Sequence, residues 1–206
     1  MAINEPAIID AVSSMKIEGN EEGIIPAFNV LLTLMYTDFY TRMCFEFERE
    51  VTKVLPEEIQ DVGKILLIDA AVQCGYHTFN GIMNSVEWKA LIEPMIEKVD
   101  DKIHGLTAVT NALGWGNWQV ADLVPGQKLV LRARNSYESE NYLRDYGRAT
   151  EGKCYMLTGV ATSFMDLVYG KAFPDGMNTF ESKEVKCRAK GDPYCEFVSV
   201  PTTAQN

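Results

Sequence analysis

Apolar residues recur at helical spacing along the first hundred positions of the chain. A short helix is predicted from about Glu5 to Met15, and a polar break follows at residues 19–23. A second stripe begins at Pro26, and its spacing predicts one long amphipathic helix with Pro26 in the first turn. The apolar positions of this stripe are Phe28, Leu31, Leu32, Met35, Phe39, Met43 and Phe47.

Two further helices are predicted before residue 100. One starts at Pro56-Glu57-Glu58, where acidic residues suit a helix N-terminus, and continues through Cys74 towards Phe79. The next opens at Ser85, and Pro94 is expected to kink it. Its apolar stripe consists of Trp88, Leu91, Ile92, Met95, Ile96 and Val99. The first hundred residues are therefore predicted to be all helical.

The hydrophobic period changes beyond Gly114. The residues from Trp118 to Val124 and from Lys128 to Arg134 predict two strands around a turn at Pro125-Gly126. The remaining predicted elements are a helix from Ser136 to Tyr146, a helix from Gly152 to about Tyr169 and a C-terminal hairpin that closes the sheet.

This order of elements indicates an α+β fold, because helices fill one block of the chain and most strands fill another. Residues 1–112 form a helical half, and residues 113–206 form a half in which helices cover an antiparallel sheet. The two halves are either separate units or parts of one compact unit. A pocket between the sheet and its helices is where an apolar ligand would fit.

Composition and charge limit the classes of function. The chain has 206 residues, 47% of them hydrophobic, and a formal net charge of −10, which argues against direct binding to nucleic acid. Polar residues interrupt the richest apolar stretch, so no membrane span is expected. The sequence opens without a basic region and apolar core, and its cysteine count of five is odd. We therefore expect a cytoplasmic protein with reduced thiols.

Two cysteines flank a turn near the C-terminus. Cys187 and Cys195 each lie four residues from Gly191, and Asp192 and Pro193 are also strong turn formers. Directly paired positions of a hairpin hold their Cβ atoms roughly 4.5–5.5 Å apart. Two such thiols can share a metal ion, form a disulfide or pack as small apolar side chains. The spacing and the reducing compartment favour the metal ion.

A third thiol and a carboxylate complete a candidate metal site. Cys154, Cys187, Cys195 and Glu184 together offer three thiolates and one carboxylate, a ligand set that zinc takes readily in a tetrahedron. Glu184 and Cys187 are an odd number of positions apart, so their side chains would face opposite sides of an ideal strand. A β-bulge or an irregular strand entry is therefore expected between them.

These motifs resemble the 4-vinyl reductase domain family, which includes the ligand-sensing domains of phenol-responsive bacterial activators. One segment resembles the signature of the family: it reads Glu184-x-x-Cys187, followed by Gly191 and Cys195-x-Phe197. The segment Cys154-Tyr155-Met156, followed by Gly159, resembles the segment that supplies the first thiolate. The resemblance implies that the four positions hold a structural zinc ion and that the chain is a stand-alone member.

The resemblance also implies a ligand pocket. In the sensors, a histidine two places before a leucine and a tryptophan ahead of a Ser-x-Glu motif touch the phenol hydroxyl. Here His104-Gly105-Leu106 and Ser136-Tyr137-Glu138 match, but the tryptophan position falls on Ala133. This departure argues against phenol itself as the ligand, although Trp115 or Trp118 could present an indole from elsewhere. The predicted lining consists of His104, Trp115, Trp118, Ala133, Tyr155 and Phe164. We expect a small apolar or aromatic ligand.

Two classes of function remain open. The first is a small-molecule sensor or accessory protein, not an enzyme, in which four protein ligands close a structural zinc site. The second is a zinc-dependent hydrolase of the 2-aminothiazoline-4-carboxylate hydrolase type, in which Glu184 is not a ligand and water takes the fourth position. No dinucleotide-binding glycine motif follows a predicted strand, so a reductase is not expected.

Association with other chains is also predicted. The long N-terminal helix has more apolar width than one buried stripe needs, which favours a homodimer through this half. The resemblance implies the same, because the sensors are dimers. Since no output domain is visible in the sequence, a separate protein partner would carry the response to the ligand.

Overall fold

The computed structural model describes residues 3–203, so the outermost residues of both predicted halves, 1–2 and 204–206, lie outside the described part. Within that part the chain forms seven α-helices and six β-strands. The helices are α1 (Glu5–Ser13), α2 (Thr37–Val54), α3 (Val62–Met83), α4 (Val86–Leu91), α5 (Asp101–Ala112), α6 (Tyr137–Tyr146) and α7 (Tyr155–Tyr169). The strands are β1 (Ile25–Ala27), β2 (Val30–Leu32), β3 (Asn117–Val124), β4 (Lys128–Arg134), β5 (Phe180–Lys186) and β6 (Cys195–Pro201).

The prediction of one long helix from Pro26 is wrong over its first part. Strands β1 and β2 form an antiparallel hairpin in which Pro26 pairs with Leu31, and the helix begins only at Thr37. Phe28 and Asn29 make the turn with φ values of 54° and 55°, the left-handed conformation that a two-residue hairpin of type I′ requires. The prediction that the first hundred residues are all helical is therefore also wrong.

The helices predicted from Pro56 and from Ser85 are both shorter than expected at one end. A short 3₁₀ turn occupies Glu57–Ile59, and α3 begins after it. Ser85 caps α4 as expected, since its hydroxyl accepts the N–H of Trp88. The kink expected at Pro94 is a full break, because α4 ends at Leu91 and a 3₁₀ turn at Glu93–Met95 separates it from α5. Proline lacks the N–H that a continuous helix would need there.

The C-terminal half is an antiparallel sheet with the strand order β3-β4-β6-β5. In the first hairpin Trp118 pairs directly with Ala133. The predicted strands and the helix from Ser136 agree with β3, β4 and α6, whereas α7 begins at Tyr155, three residues after its predicted start at Gly152. The predicted α+β class is confirmed.

Helix α7 lies between α3 and the sheet. Its contact with α3 is close, because a Cβ at Gly159 would lie 2.7 Å from the carbonyl oxygen of Ile68. Ser163 strengthens the contact by donating a hydrogen bond to the carbonyl of Val72 at 3.0 Å. One hydrophobic core therefore contains residues of both predicted halves, among them Ile103, Val109, Trp118, Leu131, Phe164 and Phe197. None of the described helices combines the length and apolarity needed to cross a membrane.

Candidate metal and ligand site

Three buried thiols meet where α7, β5 and β6 come together. Cys154 precedes α7, Cys187 follows β5, and Cys195 is the first residue of β6. The Sγ atom of Cys154 lies 4.0 Å from that of Cys187 and 3.5 Å from that of Cys195. These separations far exceed the roughly 2.05 Å of a disulfide bond, so the thiols are free.

The turn between the second and third thiols is held by local hydrogen bonds. The last ladder pair before it is Lys186 with Glu196, so Cys187 and Cys195 follow on the two sides of the hairpin. Gly191 has a φ of 97°, and Asp192 accepts the backbone N–H of Cys187 at 2.8 Å. The turn formers noted in the sequence thus set the separation of the two cysteines.

A β-bulge brings the carboxylate to the thiols. Glu184 pairs with Phe197 and Lys186 pairs with Glu196, which leaves Val185 without a ladder partner. Because the bulge inserts one extra residue, side chains after it point to the opposite face of the sheet from the one that simple alternation would give. The side chain of Glu184 therefore lies with Cys187 and the other two thiols, and the four ligand atoms are all within 4.8 Å of one another.

The polar groups around this cluster fit a zinc ion. One oxygen of Glu184, Oε2, accepts the backbone N–H of Cys154 at 3.1 Å. The other, Oε1, is buried and has no hydrogen-bond partner among the described residues. A buried carboxylate oxygen without a partner is costly, and a cation bound between it and three thiolates would remove that cost. Cysteine sulfurs and carboxylate oxygens are both zinc ligands in proteins, and structural sites take four of them in a tetrahedron.

Neighbouring donors would stabilise the thiolate form of the cysteines. The Oγ atom of Ser136 lies 3.4 Å from Sγ of Cys154. Ser139 is also close, but there the Sγ of Cys195 donates to Oγ of Ser139 at 3.5 Å, since the Ser139 hydroxyl donates to the carbonyl of Ser136. The backbone N–H of Arg188 donates to Sγ of Cys195 at 3.4 Å. Sequence reasoning did not predict Ser139, and it linked Ser136 to the ligand and not to the thiols, because both serines come from α6 and its cap, which lie far from the hairpin along the chain.

Without a cation the cluster is electrostatically unfavourable. Burial raises the pKa of the Cys154 thiol well above its ordinary value, whereas hydrogen bonds from the other two thiols lower the pKa of Cys195. Burial also raises the pKa of Glu184 to about 8, and the charge of Cys187 contributes in the same direction. These shifts show that the site resists collecting several negative charges when no positive charge lies among them.

Glu138 is a second buried carboxylate beside the cluster. It accepts the backbone N–H groups of Met156 at 3.0 Å and Leu157 at 3.1 Å, in the first turn of α7. A carboxylate is favoured at a helix N-terminus, yet burial raises the pKa of Glu138 to about 8. The Ser136-x-Glu138 motif was visible in the sequence, but its role in holding the start of α7 was not.

Several of the predicted ligand-binding residues lie together in an interior aromatic cluster. Trp118 stacks on Phe197 with ring centroids 5.7 Å apart, and its centroid lies 6.3 Å from that of Phe164. Phe164 meets Phe79 edge to face at 4.9 Å, and Trp115 meets Phe79 at 6.3 Å. Ala133, which pairs with Trp118, is also fully buried.

The indole of Trp118 carries a buried donor. Its Nε1 atom has no hydrogen-bond partner among the described residues. Its backbone, by contrast, is fixed by Asn111, whose side chain accepts the N–H of Trp118 at 2.7 Å and donates to its carbonyl at 2.9 Å. The ring is therefore held in place with an unpaired N–H in an apolar environment, where such a group costs free energy.

The other two predicted ligand-binding residues lie elsewhere. His104 is partly exposed at the contact between α5 and α1, where its Nδ1 lies 2.6 Å from Oε1 of Glu5. Tyr155 is buried and donates to Glu48 of α2 at 2.7 Å, while Lys153 donates to the Tyr155 hydroxyl at 2.9 Å. The structure thus brings Trp115, Trp118, Ala133 and Phe164 together but places His104 and Tyr155 at separate polar contacts.

Helix α2 carries an exposed apolar stripe, which we call the α2 stripe. The side chains of Tyr36, just before the helix, and of Phe39, Met43 and Phe47 are 86%, 63%, 52% and 42% exposed. They follow one another at intervals of three and four residues and so lie along one side of the helix. The opposite side packs on the rest of the chain through Thr41, Cys44 and Phe45, which are buried.

Comparisons with known proteins find structures that share this fold. No family model matches the chain. A segment of 67 residues, 32% of the chain, is 31% identical to part of the phenol regulator MopR of Acinetobacter guillouiae and spans 11% of that protein's length. The chain is similar to the crystal structure of the phenol-responsive sensory domain of the transcription activator PoxR with phenol. That match has a TM-score of 0.71 and 15% identity, and it covers 98% of this chain and 92% of that one.

Two further solved structures are similar. Trafficking protein particle complex subunit 3 from Naegleria fowleri, covalently bound to palmitic acid, matches with a TM-score of 0.56 and 13% identity over 81% of this chain and 95% of that one. A vinyl-4-reductase family protein from Methanocaldococcus jannaschii matches with a TM-score of 0.48 and 12% identity over 96% of this chain and 94% of that one, which is too distant to carry an argument. The likeness to the PoxR domain confirms, at the level of the fold, the resemblance that the C-terminal motifs indicated.

Proposed function

We propose that this protein binds a small aromatic molecule in the core between the sheet and its helices, and that a structural zinc ion holds the C-terminal end of that core. The observation that carries the proposal is the buried, unpaired Nε1 of Trp118 inside an aromatic cluster. An aromatic ligand with a hydroxyl group would give this N–H an acceptor and would place its ring among Trp115, Phe164 and Phe197. The fold likeness to a phenol-responsive sensory domain supports the same ligand class.

The indole would take over a role that the sequence resemblance assigned to the position of Ala133. Trp118 lies on β3 directly opposite Ala133 on β4, so a small residue on one strand faces a large one on the next. Because the rings of the cluster are in contact, a ligand enters only when they move apart. Trp115 and Tyr137, which are partly buried and meet edge to face at 6.0 Å, lie at the edge of the cluster and are the rings we expect to move.

The proposed zinc ion is a link between three elements. Cys154, Glu184, Cys187 and Cys195 would hold it, and the ion would join the start of α7 to the terminal hairpin. The presence of the Glu184 carboxylate among the thiols supports a closed structural site, and no described contact favours the hydrolase alternative. We also propose a cytoplasmic location, since a site of free thiols suits a reducing compartment.

The response would be passed on through other chains. We propose that the α2 stripe forms a homodimer, since four large apolar side chains along one helix face are otherwise left in water. The net charge of −10 disfavours direct contact with nucleic acid, so a protein partner would read the ligand-bound state.

Calorimetric titration with phenol, and with toluene as the matched probe without a hydroxyl, tests the ligand proposal. We expect phenol to bind at least about tenfold more tightly than toluene, because only phenol can accept the Trp118 N–H. Trp118→Phe keeps a ring on Phe197 but removes the donor, and it should abolish the difference between the probes. Trp88→Phe, in a tryptophan of α4, is the control and should leave it unchanged.

Two results would count against this proposal. If neither probe binds the wild-type protein, the aromatic ligand class is wrong. If phenol and toluene bind equally well, the cluster accepts aromatic rings but Trp118 does not select among them.

A further inference from the structure

The four proposed metal ligands differ in their access to solvent. The three cysteines are fully buried, whereas Glu184 is only partly buried and lines a surface pocket of about 250 Å³. Gly152, Tyr155, Thr158 and Ser182 form walls of the same pocket. A zinc ion at this site would therefore be enclosed by protein on the cysteine side, and Glu184 would separate it from the pocket.

Gly152 occupies a position where a side chain would collide with this carboxylate. A Cβ atom at Gly152 would lie 2.9 Å from the carboxyl carbon of Glu184, 3.4 Å from its Cγ and closer still to Oε2. The three atoms nearest to that position all belong to Glu184. Gly152 is not among the glycines with positive φ, so its backbone conformation is open to other residues. The space taken by Glu184 is therefore what requires a glycine here.

We propose that Gly152 is a positioning residue of the metal site: its missing side chain leaves the room in which Glu184 reaches the fourth ligand position and closes the site on the pocket side. The proposal rests on the zinc site proposed above. Neighbouring contacts fix the same geometry, because Cys154, two residues after Gly152, donates its backbone N–H to Oε2 of Glu184. The chain around Gly152 thus leaves space for the carboxylate and binds it.

The Gly152→Ala variant tests this inference through zinc binding. In the wild type, X-ray absorption at the zinc edge should count three sulfurs and one oxygen that does not exchange with solvent. In the variant the three sulfurs should remain, but an exchangeable water should replace the carboxylate. Zinc affinity, measured by competition with a chelator, should fall by about 10- to 100-fold, as for other changes in the groups that orient a ligand. Gly19→Ala is the matched control, because a Cβ there would meet nothing closer than 3.9 Å.

A double-mutant cycle distinguishes a collision with Glu184 from a general loss of structure. If the collision is the cause, Gly152→Ala should have no further effect on zinc affinity once Glu184→Ala has removed the carboxylate. Equal losses in both backgrounds would overturn the proposal, as would wild-type affinity in Gly152→Ala. If Gly152→Ala alone does not fold, the double variant decides: a folded double variant supports the collision, and an unfolded one overturns it. A wild-type protein that binds no zinc would refute the zinc site itself.

Discussion

Helices α7 and α2 are both rich in apolar side chains, but the chain uses them in opposite ways. Helix α7 buries 11 of its 15 residues, whereas α2 buries three of its 18. The polar side chains within α7 are satisfied internally; for example, Thr158 donates to the carbonyl of Cys154 at 2.7 Å. The α2 stripe has no comparable partner within the described chain. The comparison teaches that one helix completes the fold of a single chain, whereas the other leaves an apolar surface exposed, on which we propose that a second copy packs.

The two helices also meet the rest of the protein through different chemistry. Helix α7 packs on α3 and the sheet mainly by apolar contact, with a few hydrogen bonds such as that from Ser163 to the carbonyl of Val72. Helix α2 is joined to the metal-site segment by charged and polar groups, since Glu48 accepts from Lys153 at 2.8 Å and from Tyr155 at 2.7 Å. Lys153 directly precedes the first proposed zinc ligand. The segment that carries Cys154 is therefore in direct contact with α2.

The largest effect is expected from Cys187→Ser, which removes one proposed zinc ligand. The variant should bind zinc poorly and lose about 4 kcal/mol or more of unfolding free energy, the contribution of an ion present at a thousandfold excess over its dissociation constant. Urea denaturation with and without added zinc measures both effects. Cys74→Ser is the control, because Cys74 is exposed on α3.

Two outcomes would contradict a structural zinc ion. One is a Cys187→Ser variant that loses the metal and keeps full stability. The other is a wild-type protein whose unfolding midpoint does not respond to a chelator. Either result would mean that the buried thiols are packing residues and not zinc ligands.

The C-terminal elements could be predicted because their signals are local. Period-two alternation and the Pro125-Gly126 turn predict β3 and β4 to within one residue, and the odd spacing of Glu184 and Cys187 predicts the bulge at Val185. The serine hydroxyls and Gly152 could not be assigned in this way. Their roles depend on contacts between segments far apart in the chain, and no spacing pattern records those contacts.

The N-terminal hairpin could not be predicted for a different reason. Phe28, Leu31 and Leu32 fit a helical stripe as well as they fit a hairpin. What decides between them is tertiary packing: Phe28 is fully buried, and a Cβ at Gly81 of α3 would lie 2.7 Å from Val30. The missing side chain of Gly81 therefore leaves room for the hairpin to pack against α3. This tertiary contact overrides the local periodicity.

An intermediate effect is expected from Phe39→Glu combined with Met43→Glu, which places two charges on the α2 stripe. The dimer dissociation constant should rise about 30-fold or more, because central apolar residues dominate the energy of an interface. Sedimentation equilibrium measures it, and Val86→Glu, at an exposed position of α4 outside the α2 stripe, is the control.

The monomer of that variant should remain as stable as the wild-type monomer to within about 0.5 kcal/mol, since the stripe makes few contacts within its own chain. A wild-type protein that is monomeric at all concentrations would refute the homodimer. If the variant still dimerises, the interface must lie on a surface other than the α2 stripe.

The dependence of stability on pH should differ in sign between the metal-free and the zinc-loaded protein. Burial raises the folded-state pKa of Glu138 and of Glu184 to about 8, above the ordinary value of 4.5. The folded protein therefore binds these protons more tightly than the unfolded chain. Their contribution to stability is fully present below about pH 4.5 and is lost as the pH rises through about 8.

Zinc should reverse this dependence, because its ligands bind in their deprotonated forms and its affinity increases with pH. Thermal unfolding followed from about pH 5 to about pH 8 should show a falling midpoint for the chelator-treated protein, because the two raised carboxyl pKa values outweigh the lowered pKa of Cys195, and a rising midpoint for the zinc-loaded protein. Glu138→Gln, which cannot ionise, should flatten part of the metal-free slope. Equal slopes with and without zinc would mean that no ion binds to Glu184 and the buried thiols. The difference between α7 and α2 would then rest on their packing alone.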